Sequence, residues 1–137
     1  MTLIDSGPLA AIYLPNDQHY ARCVSSLSAA SMPLVTSKAC FTEAMYFIGK
    51  ERGWKGHSDA WQLVLSERLE VRPFSNDDLR RMHELMQQYR DAPMDLADAS
   101  LVVLAENLGA GLVFTLDSHF RAYRLANRRF LKVVPDV

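Results

Sequence analysis

Asp5, Glu43, Asp95, Asp98 and Asp117 are the residues whose types and positions could do chemistry. Asp95 and Asp98 open the run Pro93-Met94-Asp95-Leu96-Ala97-Asp98-Ala99-Ser100-Leu101-Val102-Val103-Leu104-Ala105-Glu106. This run reads as a helix with Pro93 in its first turn. Leu101, Val102, Leu104, Ala105 and Leu108 leave it almost no polar face, so it is expected to be buried on more than one side. Two aspartates three apart lie on one helix face. A helix N-terminus carries partial positive charge and tolerates acid there. Two carboxylates still repel by roughly 4 kcal/mol at about 4 Å with an effective dielectric near 20. A divalent cation is the obvious group to offset that repulsion.

The other acids stand where elements change. Met1-Thr2-Leu3-Ile4 reads as a first strand, followed by Asp5-Ser6-Gly7-Pro8 and an apolar helix over Leu9–Leu14. Asp5 therefore sits at the carboxyl end of a strand, where open parallel sheets bind ligands. It could equally be a helix N-cap, as could Ser6. Leu34-Val35-Thr36 reads as a second strand, and Ser37 caps a helix from Lys38 to about Gly49. Glu43 lies among the large apolar residues of that helix. It either faces a polar cleft or takes a partner, or else occupies the solvated side. Gly111–Thr115 is a buried-strand run that again ends on an acid, Asp117.

Between these lie further elements. A helix is expected from about Gln18 to Ala30, a turn over Glu51–Gly56, and a helix from about His57 to Arg68. Leu69–Phe74 ends in proline and suits a strand near a sheet edge. Ser75 and Asn76 begin a helix from about Leu79 to Tyr89, with Asp77 and Asp78 as dipole-stabilising charges. Asn107-Leu108-Gly109 is a helix stop. A helical segment over Arg121–Ala126 and a strand over Phe130–Val134 close the chain. Strands alternating with helices predict an α/β fold: one domain over 1–137, a mainly parallel sheet of about five strands, helices on both faces. Right-handed crossovers then bring Asp5 and Asp117 to the same sheet edge.

Composition narrows the chemistry. The chain has 137 residues, 49% hydrophobic and 23% charged, with a net charge of −1. That is enough chain for a core without staples. No whole-protein field draws in a polyanion, so any such partner must meet a local patch. Cys23 and Cys40 lack metal-ligand spacing and read as reduced buried thiols. With no long apolar run and no signal-like leader, a cytoplasmic, membrane-free location is expected. Neither GxxxxGK[ST] nor GxGxxG occurs. Carboxylates gathered without matching bases suit Mg²⁺, which takes one or two of them plus waters and phosphates.

Four stretches now stand in order: Leu3-Ile4-Asp5-Ser6-Gly7-Pro8-Leu9, Val35-Thr36-Ser37 with Glu43, Met94-Asp95-Leu96-Ala97-Asp98-Ala99, and Phe114-Thr115-Leu116-Asp117-Ser118-His119-Phe120. Together they resemble the motifs of PIN-domain ribonucleases, most closely the VapC-type toxins of toxin–antitoxin pairs. The resemblance implies an Mg²⁺- or Mn²⁺-dependent endoribonuclease that hydrolyses RNA phosphodiester bonds. It places the family's acids on Asp5, Glu43, Asp98 and Asp117, with Asp95 as an additional ligand or its support. Ser6 and Thr115 match small hydroxyl positions beside the acids. Gly7-Pro8 departs from the Ala or Val that many members carry there. The resemblance also implies a homodimer silenced by an antitoxin, whose contact is expected on the aromatic stretch Phe41–Trp61.

Other features admit two readings. Arg121, Arg124, Arg128, Arg129 and Lys132 fall in a stretch free of acids between Asp117 and Asp136. They are either a solvated basic face or a phosphate-contacting rim beside Asp117. His119 could donate a proton, although metal-activated water can do the same work. Phe41, Tyr46, Phe47, Trp54 and Trp61 read as packing residues, in the core or against a partner, rather than base-stacking ones. Two rival functions are a catalytically inactive RNA- or protein-binding scaffold and a phosphoacceptor signalling domain. The second would need an acceptor aspartate after a central strand near residues 50–60, where only Asp59 occurs.

Overall fold

The computed structural model describes residues 1–135. The elements are β1 (Thr2–Ile4), α1 (Ser6–Ala11), α2 (Tyr20–Ser28), β2 (Leu34–Ser37), α3 (Lys38–Leu65), β3 (Leu69–Arg72), α4 (Asn76–Gln88), α5 (Leu96–Leu108), β4 (Leu112–Phe114) and β5 (Lys132–Val134). A short 3₁₀ turn, Ser118–Arg121, links β4 towards β5. All neighbouring strands pair in parallel, in the order β3-β2-β1-β4-β5. The expected five-stranded α/β sheet is therefore present.

Strand alternation divides the core between the two sheet faces. Leu3, Val35 and Val113 face one way, packing with Met82, Leu85 and the apolar length of α5. Ile4, Leu34 and Phe114 face the other, with Leu9, Ala10, Ile48 and Ala60 of α1 and α3. The central strand β1 is buried along its length, as a parallel strand covered on both faces must be. The Pro-terminated β3 lies at the edge, where a missing backbone donor costs least.

Several boundaries differ from expectation. The turn over residues 51–56 shrinks to one residue: Gly53, with φ 59° and ψ −146°, is the sole break inside α3. At Gly49 a Cβ would lie 2.2 Å from His57 Nε2, so glycine there lets the two halves close on each other. Pro93 is not in the first turn of α5 but in the preceding turn, and Asp95 caps the helix. The helix over 121–126 is replaced by the 3₁₀ turn, since Arg124 forms an antiparallel bridge with Phe130 instead of continuing a helix. That bridge also keeps Phe130 out of β5. No helix among the described residues is long and apolar enough to cross a membrane.

Candidate active site

Parallel pairing places the carboxyl ends of β1 and β4 side by side. Asp5 follows β1 directly and caps α1 in extended conformation, so the capping role does not take it away from the sheet edge. Its Oδ1 accepts the Ser6 N–H at 2.8 Å, and its Oδ2 accepts the Thr115 hydroxyl at 2.7 Å. The buried Cys40 Sγ lies 3.6 Å from Oδ1. Burial pushes the Asp5 carboxyl up, opposed by these donors and reinforced by the charge of Asp117. The site thus keeps a buried acid wired at both oxygens.

Thr115 joins two of the acids. Besides donating to Asp5, its Oγ1 accepts the backbone N–H of Asp117 at 3.0 Å. Asp117 Oδ1 in turn accepts the His119 N–H and lies 2.9 Å from His119 Nδ1. On the other side, the Ser6 hydroxyl donates to Glu43 Oε1, drawing half-buried Glu43 of α3 towards Asp5. Glu43 therefore takes a partner, the Ser6 hydroxyl, instead of standing alone beside the core.

Asp95 and Asp98 form a reciprocal capping box at the start of α5. Asp98 N–H donates to Asp95 Oδ1 at 2.8 Å, and Asp95 N–H to Asp98 Oδ2 at 3.2 Å. Asp95 is exposed and turned to the helix backbone, whereas Asp98 is only 8% exposed. Burial raises the Asp98 carboxyl to about 7; the Asp95 backbone N–H opposes the rise, and the charges of Asp95, Asp5 and Asp117 add to it. Those three charges are all negative. One residue at this site went unforeseen: buried Tyr123, whose hydroxyl lies 3.5 Å from Asp98 Oδ2. Only an aromatic two turns beyond Asp117 could have signalled it, and the sequence offers many aromatics.

Asp5, Asp98 and Asp117 thus come within electrostatic reach of one another, with Glu43 tied in through Ser6. Among the described residues, no three His, Cys, Asp or Glu side chains close into a ready metal cage. The carboxylates gather instead at the carboxyl edge of β1 and β4, around the start of α5. Such a set fits Mg²⁺ or Mn²⁺, hard cations that take few protein oxygens and keep several waters.

The basic residues divide. Arg121 lies in the 3₁₀ turn that follows Asp117. Arg129 lines a small cavity with Gly109 and Gly111, at the carboxyl end of α5. Asp98 is in that helix's first turn, about 16 Å away at the helical rise of roughly 1.5 Å per residue. Arg124 stacks over exposed Phe130, 5.1 Å from the ring centre. The run therefore descends from the acidic edge to the opposite edge rather than gathering beside Asp117.

Of the α3 aromatics, Phe41 packs against the core, whereas Tyr46, Phe47, Trp54 and Trp61 are exposed. Trp54 is 74% and Tyr46 63% exposed, while Phe41 and Trp61 meet edge to face. Tyr46, Phe47, Phe74 and Leu96 line an open apolar groove of about 960 Å³ that reaches Glu43. Asp59 lies within α3, paired with Arg52, so it cannot serve as an acceptor after a strand.

The PIN domain model matches residues 2–125, and the chain belongs to the PIN domain family. Solved structures share the fold. VapC20 of Mycobacterium tuberculosis, described as a sarcin–ricin-loop-cleaving toxin, is 16% identical with a TM-score of 0.81, over 89% of this chain and 94% of that one. VapBC2 of Rickettsia felis, bound to a DNA fragment from its promoter, is 17% identical with a TM-score of 0.66, over 96% and 97% of the two chains. A toxin–antitoxin complex from Klebsiella pneumoniae is 20% identical with a TM-score of 0.64, over 86% and 88%. Comparison with curated protein sequences gave no significant match.

Proposed function

We propose that this chain is a divalent-metal-dependent endoribonuclease and the toxin of a type II toxin–antitoxin pair. The observation that carries this reading is the meeting of Asp5, Asp98 and Asp117 at one sheet edge, in a PIN-family chain. These three would hold Mg²⁺ or Mn²⁺, with Glu43 and Asp95 beside them. Bound there, the ion supplies Lewis acidity towards a phosphodiester and lowers the pKa of water for in-line attack. Thr115 fixes the Asp5 carboxylate and the Asp117 backbone in one frame. Glu43, held by Ser6, stands where it can orient the nucleophile or take its proton. His119, beside Asp117, would be one candidate to donate a proton to the leaving oxygen, metal-activated water being the other. Arg121 would steer phosphates to the acidic edge, and Arg124, Arg128 and Arg129 would hold RNA further away.

The fold neighbours include toxin–antitoxin complexes, which supports an antitoxin as partner. Its apolar segment would lie in the groove beside Tyr46 and Phe47 and end near Glu43. The exposed Trp54 and Leu65 supply apolar surface for a homodimer.

The test is cleavage of labelled single-stranded RNA by the purified chain, in Mg²⁺, Mn²⁺ or EDTA, beside Asp98→Asn. Cleavage is expected with either metal, and less than about one hundredth of it without metal or without Asp98. Cleavage that survives both EDTA and the substitution defeats the assignment. RNA retained but never cut favours the inactive scaffold.

A further inference from the structure

We infer that Tyr123 is a positioning residue that holds back one oxygen of Asp98, so that the site favours a small octahedral cation over calcium. The inference rests on the carboxylate site proposed above. Tyr123 is wholly buried, and its ring meets Tyr89 and Phe120 edge to face, at 5.0 and 5.1 Å between centres. The Tyr89 hydroxyl accepts the backbone N–H of Arg124 at 2.9 Å, which pins the residue next to Tyr123. A ring caged in this way cannot swing its hydroxyl elsewhere.

That hydroxyl donates to Asp98 Oδ2 over 3.5 Å, and the Asp95 N–H reaches the same oxygen over 3.2 Å. Oδ1 receives no hydrogen bond among the described residues. Since no buried side-chain oxygen among them lacks a partner, Oδ1 must reach solvent. Asp98 therefore offers a cation one oxygen, the other being committed to two donors. Calcium takes about 6–8 oxygens and often both oxygens of a carboxylate, whereas Mg²⁺ and ions near its size need few. Withholding Oδ2 selects against the larger ion.

Calorimetric titration of the purified chain with Mn²⁺ and with Ca²⁺, without RNA, tests this. Tyr123→Phe deletes the hydroxyl and keeps the ring in its cage. Mn²⁺ binding is expected to weaken about 5-fold, the scale of one hydrogen bond, while Ca²⁺ binding holds or tightens. The Mn²⁺/Ca²⁺ preference then falls by at least that factor. Equal weakening of both ions marks a merely structural residue and overturns the inference, as does an unchanged preference. Asp98→Asn separates the two layers. If it binds Mn²⁺ like the parent, the carboxylate site fails and this inference with it. If it loses Mn²⁺ while Tyr123→Phe keeps the parental preference, only the inference fails. Should Tyr123→Phe not fold, Tyr89→Phe, which frees the Arg124 clamp, must lower the preference in the same direction; no change overturns the inference.

Discussion

The Thr115 hydroxyl donates to Asp5 Oδ2 over 2.7 Å although the two residues are 110 positions apart. Thr115 Oγ1 itself accepts the Asp117 backbone N–H, so one buried hydroxyl aligns the carboxyl ends of two adjacent strands. Thr115→Val keeps shape and removes both bonds. It should cost about 1–3 kcal/mol, because Asp5 and the Asp117 N–H lose partners at a buried position. Urea denaturation reads that loss. RNA cleavage should fall by more than about 10-fold, beyond what lost folding explains, because Asp5 is no longer fixed. Full activity in a folded variant would refute the alignment role.

Asp98 sets a pH dependence whose sign follows from burial. Its carboxyl is raised to about 7, against 3.8 for an ordinary aspartate. Between those values the folded chain binds more protons than the unfolded one. The contribution to stability is thus fully present below about pH 4 and lost as pH rises towards 7. Thermal melts in EDTA should show the parent losing Tm relative to Asp98→Asn as pH rises across that window. Saturating Mn²⁺ should raise Tm most at the upper end, since the proposed cation would bind the ionised cluster. A Tm difference between parent and Asp98→Asn that stays constant from pH 4 to 7 without metal would contradict this account.

The basic stretch predicts a dependence on RNA length. Arg129 lies near the carboxyl end of α5, about 16 Å from Asp98 at a rise of roughly 1.5 Å per residue. A short oligonucleotide occupying only the acidic edge should bind an Arg128→Ser/Arg129→Ser chain as well as the parent. A longer RNA should bind it more weakly. Its log-affinity slope against log salt should become shallower by roughly 1.4, from about 0.7 per charge lost on a single strand. Filter binding at several salt concentrations, with Asp98→Asn in both chains to prevent cleavage, gives both numbers. An unchanged slope with long RNA would mark the two arginines as a solvated face.

Local chemistry made much of this protein legible in its sequence. Apolar runs of strand length alternating with helical stretches defined a parallel sheet, and Asp5 and Asp117 were placed at its carboxyl edge by that alone. Ser75 before Asp78 and Gly109 after Leu108 marked helix ends, because capping depends on residues within one turn. Asp95 and Asp98 were visible as a pair, but their division of labour was not. Which one caps and which one is buried depends on how α5 meets the sheet. Pro93 fell outside the helix for the same reason: a proline at either place satisfies the backbone equally well.

Other features were decided by tertiary structure alone, since they join residues far apart in the chain. Ser6 reaching Glu43, Thr115 reaching Asp5, and Tyr123 caged below Asp98 are all contacts made by the packing of α3, β4 and the segment after the 3₁₀ turn against β1 and α5. The exposure of Tyr46 and Trp54 has the same origin: helical spacing shows that a face is apolar, not whether another element covers it. The descent of the arginines away from Asp117 follows from the Arg124–Phe130 bridge, which replaces the expected helix. Residue type and spacing therefore determined the sheet and its acids. Only the folded chain determined which oxygens those acids present, because that depends on donors brought in from distant positions.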